Sequence, residues 1–402
     1  VSRVVFSAFG SGGDVFPSLA VAETLSRSGH DCTVIAPRGL ALYARHAGFR
    51  VVSVGDGSDI AAPRDVRLMT TRFDGFASWR RTLNKYVTAY VRSALSGAAR
   101  ALEDIRPDVV VHHPFCGVGP IAADALKIPR VCLHLYPQLL FGRRRVGQAM
   151  TNFACEFADL LRDLEPPEER ARRGRTRSLE LGASGAATIV THDPALHPDT
   201  NLGDCVMTGY PYWDRVESNE RDVEVVESLI SAATGDLIVV TQGSFLGLYR
   251  QEIWHRLLDV PAFARRPVLY VGVPTTERVR LENEPRRYAV GFVPMSNVVP
   301  HALLVLHHGG IGTTYGCVGA GVPAVVFPQA FDQMYNGRLL EAAHAGRICM
   351  DSGQLRKFDM SAVEDLRHGA ISVADALIRP RAAAAHIAER VLTVARLSAE
   401  AP

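Results

Sequence analysis

Two stretches of this sequence join glycines to side chains that can hold or move charge. The first is His307-His-Gly-Gly-Ile-Gly-Thr-Thr314, which follows the apolar run 302–306 and leads into a helix-like segment ending at Gly321. A glycine-rich turn feeding a helix presents unpaired backbone N–H groups and the positive end of the helix dipole, which together make an anion site. Gly309, Gly310 and Gly312 let a ligand approach the backbone, Thr313 and Thr314 add hydroxyl donors, and His308 can donate to a phosphoryl oxygen. A plain structural turn has the same residues. The second stretch is Gly10-Ser-Gly-Gly-Asp14-Val-Phe-Pro17, again between an apolar run and a helix-like segment. Asp14 suits a general base that takes a proton from a bound hydroxyl, and equally the N-cap of the first helix. Both readings stay open at this point.

Further candidates stand at the ends of other apolar runs. Asp332 and Gln333 follow Phe327-Pro-Gln and offer the donors and acceptors that suit sugar hydroxyls, as a solvated loop also would. Gly243-Ser244 forms a second small turn after residues 237–241. His112 and His113 close one run, and His134 and Tyr136 close another; Trp79 lies in a loop-rich stretch. These five residues are candidates for lining a second ligand pocket, with structural roles as the alternative.

The elements that must position these residues alternate regularly. Short Val- and Ile-rich runs at 4–9, 32–36, 51–54, 109–112 and 131–135 read as buried parallel strands covered by helices on both faces. Residues 17–29 suit an amphipathic helix that opens on Pro17 and ends at Gly29. The pattern breaks at Gly209-Tyr-Pro-Tyr-Trp213 and the charged run 214–222, which read as a linker with a hinge near 210–213. It then restarts at 237–241, 268–271, 303–307 and 324–327. The expectation is an α/β chain of two doubly wound domains facing across a cleft, 1–213 and 214–379, with a terminal helix in 380–402 packing back on the first. Two irregular segments, 58–85 and 138–177, are expected either to wall a ligand pocket or to be ordinary helical elaboration.

Composition excludes several classes. Lys and Arg number 44 against 42 Asp and Glu, so there is no basic excess for nucleic acid. The seven cysteines are scattered with no CxxC pair, which argues against zinc or a disulfide framework and fits a reducing cytoplasm. There is no signal-like segment, no run near the ~18–20 apolar residues that insert in a bilayer, and no metal-ligand spacing. The arginines at 143–145 and 170–177 read as solvated faces, with an anionic acceptor or a membrane surface as the alternative.

Taken together, residues 291–346 resemble the C-terminal half of nucleotide-sugar-dependent glycosyltransferases of the GT-B architecture, the UDP-glycosyltransferase superfamily that includes antibiotic, rhamnolipid and sterol glycosyltransferases. His308-Gly-Gly-Ile-Gly-Thr313, Gly321-Val-Pro323 and Asp332-Gln333 carry the resemblance in identity and order, and Gly10-x-x-Gly-Asp14-Val-x-Pro17 extends it to the N-terminus. The resemblance implies that His308, the glycines, Thr313 and Ser244 meet the donor diphosphate. It implies that the backbone at Phe292 and Val293 meets the base, that Asp332 and Gln333 hold the donor sugar, and that Asp14 is the base of an inverting transfer. The nucleotide sugar is then a co-substrate, no further cofactor or metal is needed, and the partner is a small-molecule acceptor. Two positions depart from the family. Phe292 and Met295 replace its usual Trp and Gln, and Gly316 stands where many members have a Glu for the ribose hydroxyls, which favours a dTDP-sugar over a UDP-sugar. The rival readings are a nucleotide-sugar epimerase, a glycolipid or sterol glycosyltransferase, and a non-catalytic nucleotide-binding homologue.

Overall fold

The computed structural model describes residues 1–55, 76–137, 185–197, 205–232, 235–243, 260–283, 285–329 and 332–400. Ser244, segment 138–177 and the part of 58–85 before residue 76 lie outside the described residues, as does the side chain of Trp79. The chain forms two compact units: Val1–Pro194 with Asp199–Trp213 and Ile378–Pro402, and Ala195–Pro198 with Asp214–Leu377.

In the first unit the order is β1 (Arg3–Ser7), α1 (Gly12–Arg27), β2 (Asp31–Ala36), α2 (Arg38–His46), β3 (Arg50–Ser53), α3 (Phe76–Ile105), β4 (Val109–His112), α4 (Val118–Ala125), β5 (Arg130–His134), β6 (Ala187–Val190) and β7 (Val206–Met207). The strands pair in parallel in the order β3-β2-β1-β4-β5-β6-β7. Residues such as Val5, Phe6, Val110, Val111 and Leu133 are buried, because helices cover both faces of the sheet.

The second unit runs α5 (Glu220–Ala232), β8 (Leu237–Thr241), β9 (Val268–Val271), α6 (Thr275–Glu282), β10 (Arg287–Val290), β11 (Ala302–His307), α7 (Ile311–Gly319), β12 (Ala324–Val326), α8 (Gln333–Ala342), β13 (Gly346–Ile348), α9 (Ser352–Arg356) and α10 (Ala362–Ala376). Its sheet is also parallel, in the order β10-β9-β8-β11-β12-β13, around a core that includes Ile238, Phe263, Tyr270, Leu304 and Val325. The last helix, α11 (Pro380–Ala399), belongs to the first unit and lies against α1. In each sheet the strand order reverses once, between β1 and β4 and between β8 and β11. Beyond the C-terminal ends of the strands at such a switch point, two loops part and leave room for a ligand.

Three sequence-based expectations need correction. The first helix begins at Gly12, five residues before Pro17, because Ser11 and Asp14 cap it earlier; Pro17 then sits inside the helix. Residues from Phe76 onward, expected as loop, belong to the long helix α3. The stretch 210–222 is not a free linker. Tyr210 and Trp213 are buried in the first unit, where Trp213 packs 5.1 Å from Phe16 of α1. Asp222 is wholly buried in α5 and paired with Arg278 at 2.9 Å, while Arg215, Glu217, Glu220 and Arg221 of the same run are exposed. Among the described residues no helix is long and apolar enough to cross a membrane, and the six described cysteines are free thiols.

Candidate functional site

The second unit's switch point is built from glycine backbone around one imidazole. Gly243 follows β8 with φ +78°, and a Cβ there would lie 2.3 Å from Cε1 of His308. A Cβ on Gly310 would lie 2.4 Å from His308 Nε2, so the ring occupies a slot that only two glycines leave open. Gly309, at φ +92°, has no more room: its Cβ would meet the carbonyl of Gln333 at 2.7 Å. Burial pushes the pKa of His308 down to about 4, so the ring is neutral at pH 7. Its Nδ1 is buried without a hydrogen-bond partner among the described residues. A buried N–H lacking an acceptor is the rarer arrangement, which places the proton on Nε2 as a donor.

The helix that follows is left electrically open. Gly310 is the N-cap of α7 with no side-chain cap, and no acidic residue stands in the first turn. Ile311, Thr314, Tyr315, Cys317 and Val318 are buried, leaving Gly312, Thr313 and Gly316 along the less buried stripe. Thr314 does not serve as a phosphate donor here, because its buried hydroxyl donates to the Gly310 carbonyl at 3.0 Å. Asp332, at the N-cap of α8, accepts from Asn336 Nδ2 at 2.7 Å, and the same amide donates to the Gly309 carbonyl at 2.8 Å. The carboxylate is thereby tied to the glycine turn. Gln333 was expected to face a sugar; it is instead only 4% exposed, and its Oε1 accepts the Gln329 N–H at 2.7 Å, bracing the loop.

The turn at Phe292 and Val293 is held from the stretch once read as linker. Asp222 accepts the Gly291 N–H at 2.8 Å, Ser218 Oγ donates to the Phe292 carbonyl at 3.2 Å, and Asp214 accepts from Ser296 N at 2.7 Å and Oγ at 3.0 Å. The Val293 side chain is buried, so that residue can meet a ligand only through its backbone.

The first unit's switch point is built around a carboxylate. Asp14 is the third residue of α1, and Ser11, not Asp14, is the N-cap. Asp14 Oδ2 accepts from Ser11 N at 2.7 Å and Ser11 Oγ at 2.9 Å, while Oδ1 accepts from the Tyr136 hydroxyl. Gly10, at φ +98°, makes room for this, since a Cβ there would be 2.4 Å from Oδ2. The strand-end histidines, open to a pocket-lining or a structural role in the sequence, hold strand ends. His113 Nδ1 accepts the Phe115 N–H at 3.3 Å and its Nε2 pairs with the Phe9 carbonyl at 2.9 Å. His134 Nδ1 accepts the Tyr136 N–H at 3.3 Å, and His307 Nδ1 accepts the Gly309 N–H at 3.0 Å. In each, a neutral imidazole turns the chain by taking the amide two residues on. His112 pairs with the His113 carbonyl at 3.2 Å and with Arg130 at 3.3 Å. Burial drives the pKa of His112, His134 and His307 to about 3 and lowers that of His113. Tyr136 alone of these candidates reaches a reactive group, and the sequence carried no signal for its pairing with Asp14 or for the Asn336 bridge.

The comparisons with known proteins agree across both units. Residues 4–134 match the glycosyltransferase family 28 N-terminal domain, and residues 269–390 match the erythromycin biosynthesis protein CIII-like C-terminal domain. The chain is 27% identical over 358 residues to O-mycaminosyltylonolide 6-deoxyallosyltransferase of Streptomyces fradiae, covering 83% of this chain and 82% of the relative. It is 25% identical over 350 residues to L-demethylnoviosyl transferase of Streptomyces niveus, covering 86% and 84%. Among solved structures it resembles spinosyn rhamnosyltransferase SpnG (TM-score 0.69, 20% identity, 97% and 100% covered). It also resembles the Streptomyces sp. SF2575 glycosyltransferase SsfS6 complexed with thymidine diphosphate (TM-score 0.65, 20% identity, 97% and 100% covered). The two parallel-sheet units are the GT-B fold, and the matches in both halves of the chain support a member of the UDP-glycosyltransferase superfamily, whose enzymes use nucleotide sugars.

Proposed function

We propose that the protein transfers a sugar, with inversion, from a dTDP-sugar to a hydroxyl of a small aglycone in the making of a secondary metabolite such as an antibiotic. The observation that carries this reading is the unneutralised N-terminus of α7 beside the glycine-slotted, neutral His308. A leaving diphosphate gains negative charge as its bond to the anomeric carbon breaks. The α7 amides, the Thr313 hydroxyl and the His308 Nε2–H are preorganised to receive that charge. The acceptor oxygen forms the new bond to the anomeric carbon from the opposite face, and the electron pair of the broken bond leaves with the phosphate. The acceptor proton passes to Asp14 and then to water. We assign the donor sugar to Asp332, whose carboxylate is steadied by Asn336.

Gly316 leaves no carboxylate on α7 for a ribose 2′-hydroxyl, which supports a deoxyribose nucleotide. Bound thymidine diphosphate in the neighbouring structure of SsfS6 is in keeping with that choice. Among the described residues no group of three or more His, Cys, Asp or Glu side chains is gathered to hold a metal. The helix dipole and neutral donors supply the stabilisation, so we infer metal-independent transfer. Calorimetry with dTDP and UDP tests the donor site. The native protein is expected to prefer dTDP, and His308→Ala to weaken binding about 10–100-fold, the loss of a charge-assisted bond worth ~1.5–3 kcal/mol. Failure of both nucleotides to bind sinks the donor site; a preference for UDP sinks the Gly316 argument alone.

A further inference from the structure

An ionised carboxylate offers about four lone-pair sites to donors. Among the described residues three of those on Asp14 are taken: two on Oδ2 by Ser11, and one on Oδ1 by Tyr136. The site left is on Oδ1, next to the phenol. Tyr136 is itself held at three points. Its N–H lies on His134 Nδ1 at 3.3 Å, its ring packs against Phe115 with centroids 4.9 Å apart, and its hydroxyl donates to Asp14. Phe115 is fixed in turn by His113, which is bonded to Phe9 at the entrance to the Asp14 loop. The ends of β1, β4 and β5 are thus linked around one carboxylate.

We propose that Tyr136 is a positioning residue for Asp14, fixing its carboxylate so that the acceptor hydroxyl delivers its proton to Oδ1 beside the phenol. This rests on the reading of Asp14 as the base. The acceptor hydroxyl then binds within hydrogen-bonding distance of Oδ1 and next to the Tyr136 oxygen, so Tyr136 also restricts which hydroxyl of an aglycone can enter. Among the described residues the other titratable groups facing Asp14 are His113 and Cys116. Burial keeps the first neutral and pushes the Cys116 thiol up to about 11, so neither changes charge near pH 7.

The test compares the native chain, Tyr136→Phe and Asp14→Asn, with dTDP-glucose as donor and 4-methylumbelliferone or water as acceptor. Tyr136→Phe keeps the ring contact with Phe115 and is expected to melt with the native protein. It should lower kcat about 10-fold, leave KM for dTDP-glucose within about twofold, and alter the pH profile of kcat. Carboxylate ¹³C NMR, with the Asp14 signal assigned by its loss in Asp14→Asn, gives a readout independent of turnover; Tyr136→Phe should move that signal. An unmoved signal, or a native kcat and profile in Tyr136→Phe, overturns the proposal. Native turnover in Asp14→Asn instead removes the base reading beneath it, while a moved signal would still establish the pairing.

Discussion

The two switch points share a plan and differ at one decisive position. Each runs from a buried strand through a glycine with φ above +90° (Gly10 at +98°, Gly309 at +92°) to an N-cap and a helix. The third helical residue is Asp14 in α1 and Thr313 in α7. In α1 the carboxylate satisfies the N-cap amide and meets the positive end of its own helix, so little remains for an external anion. In α7 no acid and no side-chain cap intervene, and the same backbone charge is free to bind one. On the proposed reading one architecture thus serves as a basic carboxylate in one unit and an anion cradle in the other, and the N-cap and third residue of each helix set the difference.

The largest expected effect comes from making the second site like the first. Thr313→Asp places a carboxylate where the diphosphate would sit, and calorimetry should find dTDP binding weakened at least ~100-fold with the melting temperature nearly unchanged, since an acid at that position suits an isolated helix. Unchanged affinity would break the comparison. Gly243→Ala is expected to act less strongly. It drives a methyl into His308 and imposes φ +78° on a side chain, costing ~1–3 kcal/mol in denaturant unfolding and about 10-fold in dTDP affinity. Native values for both would show that the imidazole is not slotted as described. The smallest expected contrast is in acid. His112, His113 and His134 in the first unit, and His197, His307 and His308 in the second, all have pKa values lowered by burial. The unfolded chain takes up these protons near pH 6.5, the folded one only near pH 3–4 for all of these but His113, so stability is full above pH 6.5 and falls as pH drops toward 4, by up to ~1.4 kcal/mol per pH unit for each group. Hydrogen exchange should find both units loosening over the same range; one unit loosening alone would sharpen the difference between them.

Local pattern made much of this legible. Runs such as Val109-Val-Val-His112 announce buried strands, and glycines between a strand and a helix announce the turns. What stayed hidden was pairing across the chain. Tyr136 meets Asp14 over a separation of 122 residues, and Asp222 meets Gly291 over 69, and neither spacing belongs to any helix or strand period. Asn336 was within reach, being four residues beyond Asp332 on one helix face, but its second bond to Gly309 depends on tertiary packing. The histidines stayed ambiguous because a strand-end imidazole looks the same in sequence whether it meets a ligand or turns its own backbone. β10 and β13 were missed because Arg-Tyr-Ala-Val and Gly-Arg-Ile are too short and too polar to read as buried strands.

The first unit is discontinuous in sequence. Ala383, Ile387 and Val391 of α11 are buried, Ala383 lies against Gly209, and Asp193 accepts the Ile378 N–H at 2.8 Å. During synthesis, then, the half that carries Asp14 emerges first yet finishes last: it must wait, with an apolar face uncovered, until the whole second unit has left the ribosome. That order leaves the nascent first unit exposed to chaperones, and it means that a fragment ending at Trp213 would be an unfinished domain, not a separable one.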